Sequence, residues 1–152
     1  MIWIGIDPGA KGAMALIAPF IIGGPDAPEI IPFEQGKYIE RLKALKVTGE
    51  KCVCCIEAVH SISGQGIASS FRFGVSYGWL LGMLDSIGIP YQPITPQKWK
   101  KEFGLTSDKA QSVEVCKRLY PGVNLLRTER SRKEDDGMAE AALMATYAMR
   151  KF

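Results

Sequence analysis

Two short apolar runs in this 152-residue chain stop on a carboxylate. Ile2–Ile6 runs into Asp7, and Cys52–Ile56 runs into Glu57. Asp7-Pro8-Gly9 is a turn signal, and both runs have the length and composition of buried strands. Taken singly, an acid after a buried strand is an ordinary boundary residue, because charge is rarely buried. Two such endings constrain the fold more tightly. If the strands are neighbours, both carboxylates emerge on one edge of one sheet.

The rest of the pattern supplies a frame for that sheet. Ala13–Ile17 follows the first run closely enough to form a hairpin with it. The Pro- and Gly-rich stretch Ala18–Glu29 reads as a loop, and Glu29–Phe33 as a third strand. Ile39, Leu42 and Leu45 recur at helical spacing, so Lys37–Leu45 reads as a helix. Gln65–Ile87 reads as a long helix with Gly74, Gly78 and Gly82 on one face. Each glycine costs a helix about 1 kcal/mol relative to alanine. Close packing against another backbone, of the same chain or of a second copy, would offset that cost. Ile89–Ile94 reads as a strand broken by Pro93. Thr95 and Pro96 then open a helix as N-cap and first helical residue. Ser107–Tyr120 is a further helix, Pro121–Lys133 an irregular basic segment, and Asp136–Arg150 the last helix. Antiparallel strands followed by crossover strands predict a mixed α/β fold, in a single domain over residues 1–152.

Composition removes several function classes. No run of about 18 apolar residues is present, so no membrane span is expected. The opening MIWIGIDPG lacks the basic start and cleavage site of a signal peptide, so a cytoplasmic location is expected, in a host's cytoplasm if the chain is viral. Cys52, Cys54, Cys55 and Cys116 show no CxxC spacing, and His60 is the single histidine. A disulfide framework or a Cys/His zinc site is therefore not expected. From Lys98 to Lys133 there are ten basic and four acidic residues, a net +6 within a total of +3, which leaves −3 elsewhere. This asymmetry suits a polyanionic partner as well as a solvated helical surface.

The last helix opens on acids. Asp136 and Glu140 are four apart on one face, where like charges repel, although the helix dipole favours acids in the first turn. Asp135 points elsewhere and suits a simple cap. Leu143 and Tyr147 continue the Asp136/Glu140 face, so that face turns inward and its acids need counter-charge. Asp7, Glu57, Asp136 and Glu140 are oxygen donors, which suit Mg²⁺ or Mn²⁺. Two such ions, about 3.5–4 Å apart, can clamp the attacking and leaving oxygens of a phosphoryl displacement.

Four stretches, GIDPGAKGAMAL, IEAVH, FGVSYGWLLGMLDSIGIPYQPITPQKWKK and KEDDGMAEAALMA, occur in this order and span nearly the whole chain. With them the chain resembles RuvC-type Holliday junction resolvases of the RNase H-like superfamily, particularly the short phage and viral forms. The resemblance implies an RNase H-like mixed five-stranded sheet flanked by helices. It implies a homodimer, joined through the Gly74/Gly78/Gly82 helix, that makes paired symmetric nicks in four-way or branched DNA. It assigns Asp7, Glu57, Asp136 and Glu140 as catalytic ligands of Mg²⁺ or Mn²⁺, two ions per site. The bacterial pattern has two aspartates three apart at the last pair, so Asp135 competes with Asp136 for the third place. Lys98, Lys100, Lys101, Lys109, Arg130, Arg132 and Lys133 are expected phosphate contacts. The family often carries an aromatic wedge near the second acid; His60 lies there instead, with Phe71 and Phe73 further along, and none is assigned that role. Other readings are a nuclease for other branched DNA, flaps or RNA–DNA hybrids, and a non-catalytic junction binder, against which the full set of acids argues. GIDPGAKGAMAL is also similar to the first phosphate loop of actin- and sugar-kinase-type ATPases, whose second domain has no room in 152 residues.

Overall fold

The computed structural model describes residues 1–18, 27–59, 66–106 and 108–152, with the Lys109 side chain outside that description. Five strands form one sheet: β1 (Ile2–Asp7), β2 (Ala13–Ile17), β3 (Glu29–Pro32), β4 (Cys52–Glu57) and β5 (Tyr91–Ile94), in the order β3-β2-β1-β4-β5. The hairpin partners are antiparallel, Trp3 opposite Ile17 and Asp7 opposite Ala13, and β3 extends the meander. β4 and β5 join in parallel. Helices α1 (Gln35–Val47), α2 (Ile67–Ile87), α3 (Pro96–Glu102), α4 (Lys109–Leu119) and α5 (Asp136–Lys151) complete the chain. The result is a mixed α/β fold, a five-stranded sheet flanked by helices. None of the described helices is long and apolar enough to cross a membrane.

Strand alternation divides the core in two. Ile2, Ile4, Ile6, Met14, Leu16, Cys54 and Ile56 pack under α1 and α2. Ala13, Ala15, Ile17, Cys55 and Ile94 pack under α3, α4 and α5. Two hydrophobic layers therefore sandwich the sheet, and β1 and β4 lie at its centre. α5 is buried continuously from Gly137 to Ala148. Its alanines are small enough to let the helix axis approach the sheet, and Gly5 completes the fit. A Cβ at Gly5 would overlap the Ala145 amide nitrogen and the Ala141 carbonyl oxygen.

Several elements differ from the sequence expectation in instructive ways. Pro93 does not break β5: it pairs with Ile56 inside the strand, because β5 is a sheet edge, where a missing N–H is tolerated. Thr95 stands at the N-cap of α3 but makes no side-chain cap bond. α1 runs two residues further at each end than its apolar spacing, with Tyr38, Leu42 and Leu45 as its buried line. The glycine face of α2 is not packed on the sheet. Among the described residues, Cβ atoms at Gly74, Gly78 and Gly82 would meet nothing within 4 Å.

Gly5→Ala is expected to destabilise the chain by about 3 kcal/mol or more, since backbone on both sides must shift. Gly36→Ala in α1, where a Cβ meets nothing within 4 Å, is expected to be neutral or to stabilise by up to about 1 kcal/mol. Urea unfolding of the two variants checks this, and similar midpoints would refute the close-approach account.

Candidate active site

Asp7 and Glu57 end the two central parallel strands. The register that sets Gly5 beside Cys55 and Ile6 beside Ile56 brings Asp7 beside Glu57. Both side chains point to the α5 face: Asp7 follows Gly5 by two residues, and Glu57 pairs with Ile94 of the α5-side core. The turn after Asp7 depends on Gly9, whose φ of 122° is accessible mainly to glycine. Phe73 of α2 lies against this turn, with its Cε2 3.4 Å from where a Gly9 Cβ would be.

Glu57 is held from α3. The Trp99 ring is fully buried, and its Nε1–H donates to Glu57 Oε2 at 2.8 Å. A buried indole needs such an acceptor, so Trp99 fixes the carboxylate's orientation while satisfying its own N–H.

The start of α5 supplies the remaining acids. Asp135 is the N-cap, and its Oδ1 accepts from the Met138 amide at 3.0 Å. Arg127 forks onto the same carboxylate, Nε to Oδ2 at 2.7 Å and Nη2 to Oδ1 at 2.9 Å. Burial raises the Asp135 carboxyl, but the Arg127 guanidinium and the Met138 and Gly137 amides outweigh it and hold the group below the usual aspartate range. Asp136 is the first residue of the helix. At Gly137 a Cβ would stand 2.5 Å from the Lys11 carbonyl oxygen and 2.9 Å from Asp7 Oδ2. The missing side chain is therefore what lets the helix start settle onto Asp7. With its carboxylate committed to Arg127 and the cap, Asp135 matches the expected cap role.

Glu140, one turn on, is only 7% exposed. The Ser112 hydroxyl donates to its Oε1 at 3.2 Å, and Lys100 Nζ lies 3.1 Å from the same oxygen. The inward face of α5 thus has a counter-charge from the chain itself. Lys100, expected on the basis of charge as a phosphate contact, is engaged here and also lies over the Trp99 ring. Lys98, Lys101, Arg130, Arg132 and Lys133 are exposed, and the Lys109 side chain and His60 lie outside the described residues. Phe71 is 71% exposed on α2.

Sequence reasoning missed Trp99, Ser112, Arg127 and Tyr38. The fully buried Tyr38 hydroxyl has no hydrogen-bond partner among the described residues. Burial first, and then the Asp7 charge, push its pKa up, against a smaller opposing effect of Arg127. A tryptophan inside the lysine-rich PQKWKK stretch was the one visible signal for a buried anchor on α3.

Carboxylate oxygens at one sheet edge are the donor chemistry that Mg²⁺ or Mn²⁺ prefers. Asp7 and Glu57 lie side by side at that edge, and Asp136 opens the helix whose start meets it at Gly137. Among the described residues, however, no three Asp, Glu, His or Cys side chains are gathered closely enough to hold an ion. Glu140 is turned to Lys100 and Ser112 and would have to exchange those partners to become a ligand.

No protein-family model and no curated protein matches the chain. Solved structures do. Thermus thermophilus RuvC matches with a TM-score of 0.57 and 18% identity, over 99% of this chain and 96% of that chain. T. thermophilus RuvC in complex with Holliday junction substrate matches with a TM-score of 0.59 and 15% identity, over 95% and 90%. The yeast mitochondrial Holliday junction resolvase Ydc2 matches with a TM-score of 0.53 and 17% identity, over 97% of this chain and 77% of that chain. The chain thus has the RuvC-type fold.

The Arg127–Asp135 pair gives an acid signature. With the Asp135 pKa lowered on folding, the pair's stabilisation is complete above the unfolded value near 3.9 and is lost as pH falls through the lowered folded value. Arg127 stays charged throughout. Wild-type protein should therefore lose more stability between about pH 5 and about pH 3 than Asp135→Asn. Urea midpoints across that interval check this, and parallel losses would mean that the pair adds no acid-sensitive stability.

Proposed function

We propose that the chain is a Holliday junction resolvase, a crossover junction endodeoxyribonuclease that makes paired symmetric nicks in four-way DNA junctions. The reading takes residues 1–152 as a single RNase H-like nuclease domain acting as a homodimer in the cytoplasm. One observation carries it. Asp7 and Glu57 end adjacent parallel strands on one face, and bare Gly137 brings the Asp136 end of α5 onto Asp7. The RuvC-type fold supports it, since the matching structures include a complex with Holliday junction substrate and a Holliday junction resolvase.

In this reading Asp7, Glu57 and Asp136 hold Mg²⁺ or Mn²⁺, two ions per site, with Glu140 as the fourth ligand. Bound ions supply a nucleophilic water and neutralise charge on the displaced oxygen. The chain's own side chains prepare the site. Trp99 orients Glu57 through its 2.8 Å bond. Lys100 pairs with Glu140 at 3.1 Å and would pass to a phosphate oxygen when Glu140 turns to a cation. Exposed Lys98, Lys101, Arg130, Arg132 and Lys133, with Lys109, are proposed to carry the DNA arms by phosphate contacts that place the junction without reading its bases. The dimer is proposed to form across α2. Gly74, Gly78 and Gly82 leave its face bare, and Ile67, Phe71 and Val75 stand 90%, 71% and 57% exposed.

Labelled four-way junction, linear duplex and RNA–DNA hybrid, each incubated with Mg²⁺ or Mn²⁺, test the reading. The junction should be cut in two opposed strands, and the duplex and hybrid should survive. Glu57→Gln should lower cutting by at least about a hundredfold and leave junction binding intact. Equal cutting of the duplex would remove the resolvase assignment. Loss of binding together with cutting would make Glu57 a structural residue.

A further inference from the structure

The segment between α4 and α5 contains Arg127, Arg130, Arg132 and Lys133, and charge alone does not distinguish them. Their surroundings do. Arg130, Arg132 and Lys133 are exposed, whereas Arg127 is half-buried and committed to other parts of the chain. Its fork takes both oxygens of Asp135. Its Nη1 and Nη2 each donate to the Gly12 carbonyl at 3.3 Å, and Nη2 also donates to the Lys11 carbonyl. Those acceptors belong to two places far apart in sequence: the turn that follows Asp7 and the cap that precedes Asp136.

The same two places meet at Gly137, between the Lys11 carbonyl and Asp7 Oδ2. The contact gathers carboxylates and backbone carbonyls, all carrying negative charge or partial charge. Left alone, they would separate. Arg127 bridges both sides, and Asp135 is fixed in turn by the Met138 amide and by its own N–H on the Leu125 carbonyl. A guanidinium suits this task because its rigid fork holds a carboxylate bidentately while further N–H groups reach other acceptors, which a lysine ammonium cannot do in one plane.

We propose that Arg127 is a positioning residue of the active site. It clamps the cap of α5 to the turn after Asp7, and so sets the separation of Asp7 and Asp136. It does not serve as a phosphate contact, unlike the exposed cations that follow it. This role rests on the reading of Asp7 and Asp136 as cation ligands.

The test measures Mn²⁺ binding to DNA-free protein by calorimetry, beside thermal melting without metal and the salt dependence of junction binding. Wild type, Arg127→Gln, Arg127→Lys, Asp135→Asn and the Arg127→Gln/Asp135→Asn double variant are compared. Mn²⁺ affinity should fall about 10- to 100-fold in both Arg127 variants, the loss typical when a group orienting a ligand is removed. Lysine should fail to rescue, because it keeps the charge without the fork. Asp135→Asn should weaken binding in the same direction, and the double variant should be no worse than Arg127→Gln, as expected for groups acting as one unit. The slope of log affinity for junction against log salt should match wild type. Wild-type Mn²⁺ affinity in the Arg127 variants would overturn the proposal, and a slope flattened by about one phosphate contact would reassign Arg127 to DNA. If Arg127→Gln does not fold, Arg127→Lys and Asp135→Asn decide the question by the same readouts. A wild-type protein that binds no Mn²⁺ at all would remove the cation reading of the whole site. That result is separate from a clamp that fails while wild type binds.

Discussion

The close approach of α5 to bare backbone on β1 is the constraint on which the rest of the molecule depends. Gly5 lets the helix backbone sit directly on the strand, and Gly137 does the same at the helix start, where the neighbour is the Asp7 carboxylate. A methyl group at either place would lift the helix. Lifting it would uncover the alanine-rich stripe that fills one of the two cores and would withdraw Asp136 from the strand edge. Fold and site therefore share one mechanical requirement. The alanines that make α5 an ordinary core helix also fix how its acids face the sheet.

Charge is then arranged around that contact. An acid facing inward needs a partner, because unpaired buried charge is strongly unfavourable. Each acid at this edge whose partner is described here has one on a different element. Trp99 holds Glu57, Lys100 and Ser112 hold Glu140, and Arg127 holds Asp135. The partners come from α3, α4 and the basic segment, so three elements are tied to the edge by hydrogen bonds as well as by apolar packing. This favours an edge ordered in advance, which the proposed phosphoryl chemistry would require.

How much of this could be read beforehand follows from the range of each signal. Strands ending on Asp7 and Glu57, the inward face of Asp136, Glu140, Leu143 and Tyr147, and the capping role of Asp135 are local patterns, set by periods of two or 3.6 residues. They were legible. Pro93 looked like a strand breaker because sequence does not say that β5 lies at an edge. Lys100 looked like one of several surface cations because its partner, Glu140, is forty residues away. Arg127 was hidden for the same reason, with acceptors in the turn after Asp7. The α2 glycines suggested a close contact, and among the described residues a Cβ at any of the three would meet nothing within 4 Å. His60 remains outside the described residues, so the aromatic wedge has no assignment from either source.

The central claim is that Asp7, Glu57 and Asp136 serve one cation site at the ends of β1 and β4. Anomalous diffraction from crystals grown with Mn²⁺ tests it most directly. The account predicts a peak within coordination distance, about 2.1 Å, of the Asp7 carboxylate, shared with Glu57 or Asp136. Ordered carboxylates with no peak between them, or a peak only at a distant acidic surface, would contradict it.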